Sequence, residues 1–264
     1  MPRSTPLLPT AAPALAALAL AALSLAACDS DDPQDNDLAS STTLEIRWEG
    51  TVDGAPLAIE SEAYPAPGNV ESFRLTRGSF YVSDVRLVEV AEGRELETEI
   101  ADVLYFLMEP RGVAATAVPD VPVGEYSAVR FRLGLNAEQD ATTPADYAST
   151  HPLGRESEYW ADWGSYIFLK MEGRTDTLAD GVDRHTASFT YHVGKSAELA
   201  REIELALPIQ VGPGAAGLAL GIDFGRLLGL GTSEPLPLVG VADHRNGLAP
   251  QIMNRAAASI TPLR

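Results

Sequence analysis

Apolar and polar residues alternate along much of this chain with a period of two. Leu44, Ile46 and Trp48 are interleaved with Glu45, Arg47 and Glu49, and Phe131, Leu133 and Leu135 with Arg130, Arg132 and Gly134. Ile203, Leu205, Leu207 and Ile209 alternate in the same way with Glu202, Glu204, Ala206 and Pro208. Successive side chains of a strand point to opposite faces, so this rhythm predicts half-buried strands. Residues 80–90, 104–108, 166–171, 189–194 and 218–224 are further strand candidates, separated by Gly, Pro, Asn and Asp clusters. A succession of short strands of this kind predicts an all-β fold, an antiparallel β-sandwich or barrel-like domain.

Helical signals are few. Asp243 can cap a short C-terminal helix in which Leu248, Ile252 and Ala256 fall on one face. Residues 136–150 are polar and contain Thr142-Thr143-Pro144, which predicts a long loop with one helical turn that delivers His151.

The first 27 residues change the picture of where this domain works. They carry Arg3, an Ala/Leu-rich run from Ala11 to Ala27 and a small-residue approach to Cys28, the single cysteine. A charged start, an apolar middle and small residues at the cleavage point describe a secretory signal. Its ending on Cys resembles the bacterial lipobox, which makes Cys28 the expected acylated first residue of the mature chain, at a periplasmic or external membrane face. Residues 28–41, with five Asp in DSDDPQDND, are an expected flexible acidic tether, and 42–264 the folded domain. The formal net charge of −18 argues against nucleic acid, whose phosphates need a positive footprint. Without a second cysteine there is no disulfide, so a metal would fall to His, carboxylate or Met.

The chemistry concentrates in HPLGRESEYWADWGSYIFLKMEG, residues 151–173, followed by FTYHVG at 189–194. His151, Trp160, Trp163 and His192 offer borderline nitrogen donors beside oxidisable rings, a set suited to copper or zinc rather than calcium or magnesium. Each has a plainer reading. His192 alternates with Tyr191 and Val193 and would sit on a solvated strand face; His151 precedes Pro152 in a loop; His185 lies in the charged loop DGVDRHTAS; and His244 could simply open the C-terminal helix. Trp160 and Trp163, three apart, would face opposite sides of an extended segment, making one of them core. Met171, in phase with Ile167 and Leu169, reads as packing. No carboxylate pair, G-x-S-x-G elbow or phosphate loop is evident, and the chain is expected to have no catalysis of its own.

FYVSDVRLV at 80–88, VPVGEYSAVRFRLGLN at 121–136, HPL at 151–153, YWADWGSYIFLKMEG at 159–173, FTYHVG at 189–194 and HRNGLAPQIMNRA at 244–256 occur in an order that resembles the MbnP-like copper-binding proteins, relatives of the MopE and CorA surface proteins. The resemblance implies a β-rich fold and a copper ion held by histidines and by a tryptophan oxidised to kynurenine. It further implies a dihaem cytochrome peroxidase of the MauG/MbnH type as the modifying partner. Carried onto this sequence, it points to His151 and His192 as ligands, His244 as a third candidate, and Trp160 or Trp163 as the modified ring. The use would be copper capture or hand-off. The alternatives are a metal-free surface scaffold or adhesion sandwich, and an enzyme with redox activity at the copper.

Overall fold

The computed structural model describes residues 40–68, 70–214, 216–244 and 247–263, so the leader, Cys28 and most of the acidic tether lie outside the described residues. In chain order come β1 (Ser41–Val52), β2 (Ala55–Pro56), β3 (Tyr64–Pro65), β4 (Ser72–Ala91), β5 (Arg94–Leu107), β6 (Val113–Pro122) and β7 (Gly124–Leu133). Then follow α1 (Ala137–Asp140), β8 (Tyr159–Trp160), β9 (Ser165–Asp176), β10 (Ala187–Gly194), β11 (Arg201–Val211) and β12 (Ala216–Asp223). The last elements are α2 (Phe224–Leu228), β13 (Val241–Asp243), α3 (Ala249–Ala258) and β14 (Ile260–Pro262). No helix among the described residues is long and apolar enough to cross a membrane.

The strands form two sheets of a sandwich. One runs β14-β12-β1-β2, with β6 also on β1; the other runs β11-β7-β4-β9-β10-β13, with β3 and β5 on β4 and β8 on β9. Alternation along β1 buries Leu44, Ile46 and Trp48 and leaves Glu45 and Arg47 in solvent. Trp48 meets Phe80, Phe106 and Phe131 of the other sheet, at ring-centroid distances of 5.0, 5.7 and 5.9 Å. Such offset and edge-on aromatic contacts add about 0.5–1.5 kcal/mol each beyond area burial, so the indole is a pin between the layers.

Most pairings are antiparallel, as expected of the sandwich, but β1–β12 and β10–β13 are parallel and depart from that expectation. Both partners in each case are far apart in sequence, and local periodicity carries no information on strand direction. The segment after β7 supplies its helical turn as α1, where Asn136 and Gln139 cap one another reciprocally. Tyr147 and Leu153 from that connection join Tyr81, Tyr105, Tyr166 and Phe168 in a small second core over the outer face of the larger sheet. The C-terminal helix starts at Ala249, later than Asp243, although the Asp243 carboxylate still accepts from the Leu248 N–H.

Candidate metal centre

A tight hairpin brings the two indoles together. Trp160 ends β8 opposite Ser165, and Trp163 and Gly164 both donate their N–H to the Trp160 carbonyl. Gly164 closes the turn at φ 64°, a left-handed conformation that glycine adopts without penalty. The indoles therefore stack at 5.1 Å with 23° between planes instead of facing opposite ways. The expectation of opposite faces fails because the segment turns at 161–164 and is extended only at its ends.

His192 lies on β10, opposite Lys170 of β9, and is 9% exposed. The polar face it occupies is covered rather than solvated. Trp160 sits over it at 5.7 Å, and on its other flank β13 runs parallel to β10 with Tyr191 opposite Asp243. Continuing that register by one residue sets His244 beside His192. Neighbouring strands lie about 4.7–4.9 Å apart, and the two imidazoles stack at 4.7 Å with 13° between planes. Trp160 also touches His244, at 4.8 Å, so its ring spans the pair, whereas Trp163 has its ring contact with Trp160.

Three of the expected ring residues, Trp160, His192 and His244, thus form one cluster, with Trp163 stacked on its edge. His151 is placed differently. It stacks on Tyr147 at 4.4 Å, and its Nδ1 accepts from the Leu153 N–H to start a short 3-10 turn. The histidine that accompanies His192 is the third candidate, His244. Met171 is fully buried in the main core, in keeping with the packing reading.

Two features make the cluster a candidate for holding a metal. His192 Nδ1 and His244 Nε2 are buried and have no hydrogen-bond partner, and a buried polar atom without one costs about 1–3 kcal/mol. Burial, with His192 alongside, holds the His244 imidazole below its usual range, despite the opposing pull of Asp243 and Glu172. An imidazole that resists protonation and keeps a free lone pair, as His244 does, is what a borderline metal requires. Sequence reasoning did not single out Glu172, which meets His192 Nε2 at 2.8 Å; its one signal was its position two residues from Lys170, on the same face of β9.

Beneath the hairpin lies a separate buried charge cluster. Glu158, fully buried, accepts from Arg77 at 2.6 Å and Tyr105 at 3.0 Å, and Lys170 Nζ stands 3.0 Å from its second oxygen. Lys170 also donates to the Ser157 carbonyl at 2.7 Å. These bonds tie the 155–158 turn to the sheet and so hold up the Trp-bearing hairpin.

Asp176, Asp183 and His185 gather a second set of donor atoms, and His185, expected to be exposed, is 9% exposed. Its ring is held between Asp183 and Ser72, while Asp176 accepts from the Leu178 and Arg184 N–H groups and Asp183 takes the Arg74 guanidinium. Every donor atom is already engaged, so the group works as a clamp on the 177–186 loop.

The family profile described as MbnP matches residues 41–241. Among solved structures, MbnP from Methylosinus trichosporium aligns over 74% of this chain and 80% of its own, at 15% identity and a TM-score of 0.47. No curated protein matches.

Proposed function

This chain belongs to the MbnP family, and from that premise we propose that it binds copper through His192 Nδ1 and His244 Nε2, with Trp160 as the ring that is oxidised to kynurenine. The observation that carries this reading is the pair of stacked imidazoles, each with a buried unpartnered nitrogen, under a single indole. Opening the indole breaks its C2–C3 bond with loss of four electrons and four protons, two waters supplying the oxygens of the C3 ketone and the N-formyl group; hydrolysis by a third water releases C2 as formate and frees the ring nitrogen as an aniline. The electrons pass to a peroxide-driven haem oxidant, for which a dihaem cytochrome peroxidase of the MauG/MbnH type is the proposed partner. The aniline then adds a third nitrogen beside two imidazoles, and copper bound there has a three-nitrogen environment. Trp160 is favoured over Trp163 because it touches both histidines.

The domain itself has no proposed turnover. Anchored through an acylated Cys28 at a periplasmic or outer face, it would capture copper and hand it on. The experiment uses protein purified from its native host. Peptide mass spectrometry over 159–173 should show Trp160 heavier by one oxygen less one carbon, and copper should co-purify. In the double variant His192→Ala, His244→Ala the copper should be lost. Intact indoles together with no copper in the unaltered chain would sink the reading in favour of a metal-free scaffold.

A further inference from the structure

We infer that Glu172 is a positioning residue for the metal centre: it fixes the ring of His192 as the Nε2–H tautomer and thereby makes Nδ1, not Nε2, the donor. This rests on the copper reading above but concerns a residue that reading does not use. Glu172 lies on β9, two residues from Lys170, and its Oε1 is 2.8 Å from His192 Nε2. An ionised carboxylate can only accept a hydrogen bond, so the proton of that bond belongs to Nε2. A second proton on Nδ1 would be a buried donor with nothing to receive it, since Nδ1 has no partner and the ring is flanked by His244 and Trp160. With the proton of that bond on Nε2, the lone pair of the ring is on Nδ1, where no hydrogen bond occupies it. A carboxylate behind an imidazole also makes the opposite nitrogen a stronger donor, and loss of such a partner costs roughly 10–100-fold in metal affinity. The centre is thus asymmetric, with Nδ1 offered by His192 and Nε2 by His244.

The test pairs a spectroscopic readout on metal-free protein with a binding readout, both on the full chain. Long-range 1H–15N correlation spectra should show His192 as the Nε2–H tautomer, and Glu172→Ala should shift it towards a mixture. Glu172→Gln, whose amide oxygen still accepts, should restore most of the original signature. By chelator competition with Cu(I), Glu172→Ala should bind roughly 10–100-fold more weakly, with Glu172→Gln in between. His192→Ala and His244→Ala report on the site itself. If those two lose copper while Glu172→Ala changes neither tautomer nor affinity, the positioning role is overturned and the site stands. If the unaltered chain binds no copper, the site reading falls and the role in binding falls with it. A His192 ring found as the Nδ1–H tautomer overturns the inference outright.

Discussion

At the scale of single residues, the interior under the Trp hairpin is held by charges that cannot be removed one at a time. Glu158 faces Lys170 and Arg77, and the Lys170 side chain is only 7% exposed. Replacing Glu158 by Ala strands that ammonium, and breaking a buried pair in this way costs about 3–5 kcal/mol; urea unfolding should show the loss as a lower midpoint. The pH response has a definite sign. The folded chain resists protonating His244, whose ordinary value is near 6.5. Its contribution to stability is therefore complete above that value and is lost as pH falls through it towards the depressed folded value. Glu172 is held below the usual carboxylate range by its hydrogen bond to His192, so its contribution is present above the ordinary Glu value and lost at lower pH still. Unfolding midpoints against pH should fall on the acid side, and His244→Ala should remove the earlier of the two declines. His192, His244 and the Trp pair were legible in the sequence as residue types. Their mutual distances were not, because the His192–His244 stack depends on a parallel register between remote segments, and the burial of His192 depends on the hairpin that covers it.

At the scale of elements, period-two alternation located the strands well, since each half-buried strand writes its faces into its own sequence. It was blind to partner and direction, and the two parallel pairings follow from neither propensity nor turn chemistry. Gly194 shows what the ladder demands at the end of β10. A Cβ there would lie 2.1 Å from the Tyr166 carbonyl oxygen, a backbone atom. Gly194→Ala must push β10 and β9 apart next to the register shift between Val193 and Gly194. Overpacking of this kind costs about 1–3 kcal/mol, to be read from thermal unfolding. The same displacement should weaken copper binding, because His192 is carried on that strand. The Trp turn was missed for a related reason: Gly164 in its left-handed conformation brings together two rings that an extended reading separates.

At the scale of the whole molecule, the sandwich presents an outer sheet face roofed by the connection from β7 to β9, and the proposed copper site lies under the last part of that roof. The all-β class was readable from the alternation and the scarcity of helical signals. The roof was not, because its Tyr-rich cluster draws on four separated segments. A ligand that binds the folded form alone stabilises it by about 2.7 kcal/mol at a hundredfold excess over Kd. Copper should therefore raise the melting temperature of protein from the native host, and calorimetry on the His192→Ala, His244→Ala variant should find no such rise. One half of the centre hangs from β13, a ribbon with three rungs, Val241, Ala242 and Asp243, on β10. Short ribbons peel long before a domain melts. Peeling this one would swing one imidazole off the other while β9 and β10 stay zipped, so the ion's residence time would be governed by local fraying, and a recipient protein would have to loosen only that strip to take the cargo.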